Sequence, residues 1–453
     1  MKIAIAGTGY VGLVTGVSLA ALGHEVWCIG RNRDKIAAIN AGQSPFYEPG
    51  LDTLLSRALS KKLLHATDNL GEAIKNADVT IIAVGTPTVR DKIDLSSVKQ
   101  VSKQIGEALK NSKRYHLLVV KSTVVPTTTE KIIKPLLEKY SQKKIGEFGL
   151  CMNPEFLREG SAVDDALYPD RIIIGQYDAK SGREFSKLYT NLSCPKIFTN
   201  LATAEMIKYT ANSLLATLIS FSNEIARISE ATEEVDVVDV WKGVHLDKRL
   251  NPLVGRRRSS PGILKYIFSG CGYGGSCFPK DTKAFVHYAR GLHIKPQILK
   301  SVIDVNQTQP ERILLLLEEA IGKLEGKKIA VLGLSFKPNT DDLRESPALY
   351  LIDLLVEQKA MISCHDPVAY KNGRNAELKS LPIILSKTAE ESLKDADAAV
   401  LMTAWDEYKK LTPAIFKRAL KRPVVVDGRR IFSKEQFIKD GIIYKGIGYR
   451  GVT

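Results

Sequence analysis

The segment GTGYVG, Gly7 to Gly12, leaves this chain few folds to choose from. It follows directly on an apolar run, KIAIAG, and opens a stretch of helical spacing, LVTGVSLAALG, that ends at Gly23. A second apolar run, EVWCIG, comes next. Strand, glycine turn, helix, strand is the entry to a parallel sheet of the Rossmann type. Gly7 permits the tight turn, Gly9 lets backbone approach a pyrophosphate, and Gly12 lets the helix pack on the strand. The helix opening at Tyr10 and Val11 turns its positive end toward the phosphates. A dinucleotide-binding domain is expected. The competing reading is a domain of the same shape that has lost its ligand.

The end of the second strand bears on which dinucleotide. An NAD site usually places Asp or Glu there, accepting from the ribose hydroxyls. Here Gly30 stands at that point, with Arg31 and then Lys35 behind it. Glycine leaves room for a 2′-phosphate and arginine can grip one. The cofactor is therefore NAD or NADP, leaning to NADP. Two further strand-like runs end in polar turns, one at Thr86 and Pro87, the other at Ser122 and Thr123. Ligands lie at the carboxyl ends of such strands, so these residues are cofactor candidates. FGLCMNPEFLREG repeats the pattern and carries Glu155 and Glu159, at a spacing that would share one helix face. They are acid/base candidates at the mouth of the sheet.

Composition narrows the class. The chain has 453 residues, 44% of them hydrophobic, enough for two or three cores. No apolar run reaches membrane-spanning length, and the N-terminus turns to glycine too early for a signal peptide. The cysteines are scattered, with neither CxxC nor His-rich spacing, so no metal site is expected and a reducing cytoplasm is the expected compartment. The net charge of +15 is spread along the chain rather than laid in a stripe with aromatics, which argues against nucleic acid. A phosphate-bearing small substrate makes better use of it.

From Leu201 to Ala231 the pattern is one long helix, free of proline and glycine, that could join domains and form a dimer interface. Lys208 and Asn212 share one face of it. Leu250 to Gly262 reads as a loop, with Arg256, Arg257 and Arg258 either solvated or clamping a phosphate. The strand–helix rhythm restarts at GKKIAVLGL without a second GxGxxG. The expected fold is α/β: two doubly wound Rossmann-like domains, 1–196 and 306–453, joined by a central helical region, 197–305. Phe336, Lys337, Arg344, Arg429 and Arg430 are the polar candidates of the last. Between these lies GCGYGGSCFPKD, Gly270 to Asp281. Its glycines mark a tight turn or a wall against a ligand. Cys277 is either a buried structural thiol or, beside Lys280, a nucleophile, since a nearby cation raises the thiolate fraction.

Taken together, GTGYVGLVTG, FYEPGL, VGTP, KSTVVP, NPEFLREG, PDRIIIG, the Lys208–Asn212 helix, GYGGSCFPKD, GLSFKPNTDDLRESP and DGRRIF resemble the UDP-glucose/GDP-mannose dehydrogenase family over nearly the whole chain. The acid loop is most similar to that of its UDP-glucose members. The resemblance implies oxidation of a sugar C6 alcohol to a carboxylate with two molecules of dinucleotide, giving UDP-glucuronate from UDP-glucose. It implies Cys277 as nucleophile, Lys208 and Asn212 at the oxyanion, and Glu155, Thr123 and Asp281 for protons and the hydrolytic water. It places Glu159, Lys280 and Arg344 toward the dinucleotide. It places Glu155, Phe156, Leu157, Lys208, Asn212, Arg249, Tyr266, Gly270, Gly274, Phe336, Lys337 and Arg429 or Arg430 around the nucleotide sugar. A homodimer through the long helix is implied as well. A sister dehydrogenase of another UDP- or GDP-sugar and a non-catalytic nucleotide-sugar-binding protein are the alternatives. A Cys271–Cys277 disulfide that switches activity off is a further expectation.

Overall fold

A computed structural model describes residues 1–369 and 377–449. It is α/β, with two separate, largely parallel sheets. Contacts divide the chain into two compact units: Met1–Ala211 with Lys283–Gly291, and Asn212–Thr282 with Leu292–Thr453. The boundary falls inside the helix Leu201–Ala231, whose ends match the sequence expectation. Among the described residues no helix is long and apolar enough to cross a membrane.

The first unit is built on an eight-stranded sheet. From one edge its strands run Lys196–Thr199, Ile172–Gln176, Gly149–Met152, Leu117–Val120, Val79–Ile82, Lys2–Ala6, Glu25–Ile29 and Leu64–Thr67. All pair in parallel except Gly149–Met152 with Ile172–Gln176. Alternate residues of one strand enter different cores, as the pleat requires. Leu117 and Val119 pack with Leu13, Val14 and Val17 of the helix Tyr10–Ala21. Leu118 and Val120 pack with Ile105 and Leu137 on the other face. Both faces being covered, these strands are continuously apolar rather than alternating.

The second unit holds a six-stranded parallel sheet, ordered Ile383–Leu385, Met361–His365, Lys328–Leu332, Ala398–Leu401, Val424–Asp427, Ile443–Gly446. Ile329 and Val331 face one core, Ala330 and Leu332 the other.

Each sheet reverses strand order beside its first strand, and a crease opens there. In the first unit the crease lies between Lys2–Ala6 and Val79–Ile82. Gly7 occupies it with φ +132°, and a Cβ there would stand 2.4 Å from the Ala83 carbonyl oxygen. In the second it lies between Lys328–Leu332 and Ala398–Leu401. A Cβ at Gly333 would stand 2.4 Å from Cβ of Thr403. Both glycine amides donate across to the neighbouring strand, Gly7 to the Ile29 carbonyl and Gly333 to that of His365, each at 2.8 Å.

Candidate functional site

The first unit offers a dinucleotide cradle. The helix Tyr10–Ala21 has Gly9 at its N-cap, no side-chain cap and no acid in its first turn. Its leading amides are left for an anion. A Cβ at Gly9 would meet nothing within 4 Å, whereas one at Gly12 would lie 2.1 Å from the Gly7 carbonyl oxygen. These residues fit a pyrophosphate, and Val11 lies half-buried beside them. Tyr10 donates to Glu48, whose carboxylate also accepts the Gly160 and Ala162 amides, both at 2.7 Å. Burial, then Glu48, and more weakly Glu159, hold the Tyr10 hydroxyl far above its ordinary range. At the second strand end a Cβ on Gly30 would stand 2.5 Å from Thr8 Oγ1. The place of a ribose-binding acid is thus taken by Thr8. Arg31 and Lys35 are exposed beyond it, with the Asn32 side chain capping the Lys35 amide at 2.9 Å. Thr86 is buried and Pro87 exposed. Thr86 Oγ1 donates to the Thr123 carbonyl at 2.8 Å, and Ser122 Oγ to the Val84 carbonyl at 2.7 Å.

The acid turn differs from its sequence expectation. Asn153 to Arg158 is not helical, so Glu155 and Glu159 do not share a helix face. The reason is local: Glu155 turns its carboxylate back onto the Leu157 amide at 2.7 Å, in place of a helical bond. Its other oxygen accepts from Lys208 Nζ at 2.8 Å, with both side chains about 5% exposed or less. Burial pushes Glu155 upward, but the Lys208 ammonium overrides it and holds the carboxyl below its ordinary value. Two residues escaped the sequence reading. Lys121, buried, donates to Asn153 Oδ1 at 2.8 Å, and Asn153 donates to the Ile173 carbonyl at 2.8 Å. Burial lowers Lys121 to about 8 against the pull of Glu155. Lys121, Asn153, Glu155, Phe156, Leu157 and Arg171 line one cavity, with the Arg171 guanidinium 4.1 Å over the Phe156 ring. Their positions at the ends of two adjacent strands were the signal available.

In the second unit Cys277 immediately precedes the helix Phe278–Gly291, and its carbonyl accepts the Asp281 amide at 2.8 Å. The partial positive charge of that helix end favours a thiolate. Asp281, 1% exposed, accepts from Asn212 Nδ2 at 2.6 Å and pairs with Lys280. The glycines ahead of Cys277 are a wall with backbone and aromatic surface against it. A Cβ at Gly274 would stand 2.2 Å from the Glu345 carbonyl oxygen. One at Gly275, whose φ is +80°, would stand 2.7 Å from the Phe336 ring. The Gly275 amide donates to the Arg344 carbonyl at 2.8 Å, while the Arg344 guanidinium forks onto Asp342 at 2.8 and 2.7 Å. Lys337 lies 5.5 Å over the Phe336 ring, and the Tyr266 ring is tilted 50° against that of Phe278 with centroids 6.3 Å apart. Gly270 is pinned by Asn223 and Gln309, each at 2.8 Å. Gly275→Ala is expected to lower stability by about 1–3 kcal/mol, because it combines a strained φ with an occupied space, and denaturant melts measure it.

Two expectations are corrected here, those for Arg430 and for the Cys271–Cys277 disulfide. Of the arginine pair, only Arg429 reaches the glycine wall, donating to the Gly272 and Phe336 carbonyls at 3.4 and 3.3 Å. Arg430, at φ +51°, turns the other way and is bound to Asp236 and the Ile447 carbonyl at 2.8 and 2.9 Å. Arg249 is 88% exposed and paired with its neighbour Asp247. Arg257 and Arg258 form a short hairpin with Leu253 and Val254, and Arg258 donates to the Asn251 carbonyl at 2.9 Å. Cys271 is fully buried, its thiol on the Gly428 carbonyl at 3.1 Å. Burial raises it to about 11. Such a thiol is inert, so the disulfide switch loses its basis.

Residues 1–193 match the UDP-glucose/GDP-mannose dehydrogenase family, NAD binding domain, residues 202–308 its central domain, and residues 330–434 its UDP binding domain. The UDP-glucose 6-dehydrogenase AglM of Haloferax volcanii is 38% identical over 99% of this chain and 100% of the relative. TuaD of Bacillus subtilis, likewise named UDP-glucose 6-dehydrogenase, is 39% identical over 99% of this chain and 93% of the relative. Among solved structures, a UDP-glucose dehydrogenase from Pyrobaculum islandicum superposes with a TM-score of 0.89 at 37% identity, covering 99% of this chain and 97% of that one. A UDP-D-ManNAc dehydrogenase from Pyrococcus horikoshii superposes at 0.85 with 28% identity, covering both chains fully at 100%. By domain content, by sequence along its length and by fold, the chain belongs to the UDP-glucose/GDP-mannose dehydrogenase family.

Proposed function

We propose that the protein is a UDP-glucose 6-dehydrogenase, oxidising the C6 alcohol of UDP-glucose to the carboxylate of UDP-glucuronate through a covalent intermediate on Cys277. The observation that carries the chemistry is the arrangement at the head of the helix Phe278–Gly291: Cys277 outside its first turn, with Asp281 buried one turn in and bonded to Asn212. Two molecules of nicotinamide dinucleotide, bound in succession at the cradle of Gly7, Gly9 and Gly12, would each accept one hydride, one for each oxidation. In the first, C6 loses a hydride and its hydroxyl a proton, giving an aldehyde. The Cys277 thiolate then adds to that carbonyl carbon, forming a C–S bond and an oxyanion. Asn212 and Lys208, one turn apart on their helix, are the donors for that oxyanion. Loss of the second hydride leaves a thioester. Water adds to it and the C–S bond breaks, returning the thiol and releasing a carboxylate. Asp281, Glu155 and Thr123 are assigned to the protons and to the water. Arg429, Phe336 and the wall from Gly270 to Gly275 are assigned to the nucleotide sugar, with Lys337 and Tyr266 beside them.

The three-part division into cofactor domain, central catalytic and dimerisation region and nucleotide-sugar domain belongs to the same proposal. So does a homodimer. Met206, Leu214, Phe221 and Ile228 recur about every two turns of the long helix and are 37%, 51%, 53% and 57% exposed, an apolar stripe that a second copy would cover. A reducing cytoplasm belongs to the same proposal, on the scattered spacing of the six cysteines.

The test is a spectrophotometric assay with UDP-glucose and each dinucleotide. Two equivalents of reduced cofactor per sugar are expected. No reduction with any nucleotide sugar would leave a binding protein, and preference for a UDP-N-acetylhexosamine a sister dehydrogenase. For the cofactor we infer a lean to NADP from Gly30 and Arg31. Because Thr8 fills the space at Gly30, Gly30→Asp alone is expected to weaken both cofactors, while Thr8→Gly with Gly30→Asp shifts the kcat/KM ratio toward NAD by about tenfold. A wild-type protein that already prefers NAD strongly would sink this.

A further inference from the structure

We propose that Glu205 is a positioning residue that clamps the strained turn behind Thr123 and so fixes where Thr123 stands. The proposal rests on the reading of Thr123 given above. After the strand Leu117–Val120 the chain turns through Ser122, Thr123 and Pro126 into a π-helical turn, Thr129–Ile133. Just ahead of that π-helical turn Thr127 holds φ +74°. A β-branched residue pays for that angle and keeps it only when its surroundings enforce it. The near end of the turn is tied by Thr86 and Ser122, as described. The far end is tied by Glu205 alone among side-chain acceptors of the described residues: its Oε1 takes the Thr129 amide at 2.8 Å.

Glu205 is an expensive way to hold one amide. Its side chain is 0% exposed and forms no ion pair among the described residues. A buried carboxyl without a countercharge is strongly disfavoured unless its hydrogen bonds matter. Burial raises it to about 7 against the Thr129 amide, with Glu130 the charged neighbour pushing the same way as burial, and its second oxygen, Oε2, is buried without a hydrogen-bond partner. It also stands three residues ahead of Lys208 on the long helix, so one rigid element carries both the clamp and the partner of Glu155. π-turns of this kind recur at functional sites, where they re-aim the chain next to them.

The test uses Glu205→Ala, Glu205→Gln, Thr127→Gly and the double variant Glu205→Ala/Thr127→Gly in the full-length protein. Amide hydrogen exchange of peptides spanning 121–133 needs no activity, and E205A is expected to exchange there at least tenfold faster than wild type. In the UDP-glucose assay kcat of E205A is expected to fall by about 10- to 100-fold with both KM values within twofold, since a displaced group loses rate rather than binding. E205Q, which still accepts the amide, keeps kcat within about threefold. Glycine adopts the left-handed angle without enforcement, so T127G is near wild type and the double variant recovers about tenfold over E205A, a non-additivity that simple destabilisation would not produce. If E205A does not fold, the double variant is expected to restore a folded protein. Unchanged exchange in E205A, or a double variant no better than E205A, overturns the clamp. Absence of activity in the wild type overturns the proposed function instead and leaves the exchange measurement to decide the clamp.

Discussion

Cys277→Ser is expected to lose net oxidation to the carboxylate by on the order of 10³-fold or more while both ligands still bind. The residue precedes the helix Phe278–Gly291, its carbonyl accepts the Asp281 amide and its thiol lies 3.6 Å from Ser276 Oγ, contacts that a serine can also make, so the fold around it is expected to persist. What changes is the chemistry. A serine hydroxyl is almost wholly protonated near neutrality, and an ester hydrolyses less readily than a thioester. The second oxidation therefore stalls with the sugar at the aldehyde level. Rapid-mixing measurement of reduced nicotinamide per enzyme, with trapping of the aldehyde, separates the two oxidations. Two equivalents per sugar at near wild-type rate would rule out the covalent route.

Lys208→Met is the second large effect, and it should appear in stability as well as rate. The Lys208–Glu155 pair is nearly dry, and removing one partner of such a pair costs about 3–5 kcal/mol. The pH dependence has a definite sign. In the wild type the ammonium holds Glu155 below its ordinary value. The pair therefore adds stability above the ordinary carboxylate range and loses it as pH falls through the depressed value. Without Lys208 burial dominates, Glu155 rises, and the penalty is relieved as the carboxyl takes up a proton. Denaturant melts should therefore show the gap between wild type and variant widest near neutrality and narrowed near pH 4, about the ordinary carboxylate pKa. A gap that stays constant with pH would mean that Lys208 acts through packing alone.

Much of this was legible in the chain because buried parallel strands are short, continuously apolar and bounded by turns. Lys2–Ala6, Leu117–Val120 and Lys328–Leu332 lie inside the runs read from sequence, and the helix Leu201–Ala231 matches end to end. The outer strands were harder. Lys196–Thr199 sits at a sheet edge with Ile197 and Phe198 43% and 47% exposed, so it lacks the apolar signature of its neighbours. Arg429 and Arg430 could not be told apart, because adjacent residues in one turn diverge according to backbone angle. Glu155 and Glu159 share a helix spacing, yet a side chain capping its own loop defeated the period. Glu205 gave no signal at all: an acid inside an apolar helix looks the same whether it faces water or an amide.

The two creases have a consequence for how such a protein can change. In the first, the helix begins straight after the glycine turn and its N-cap, Gly9, leaves the leading amides open. In the second, the helix Pro347–Glu357 starts only after the loop from Leu334 to Ser346, and Ser346 closes that helix end on the Ala348 amide at 3.3 Å. One crease thus reads charge through backbone, which no side-chain substitution alters. The other presents side chains of a loop, Phe336, Lys337 and Arg344 among them, ahead of a helix end that is already closed. Exchanging side chains can therefore change what the second crease presents to a ligand, whereas what the first presents is set by main-chain geometry.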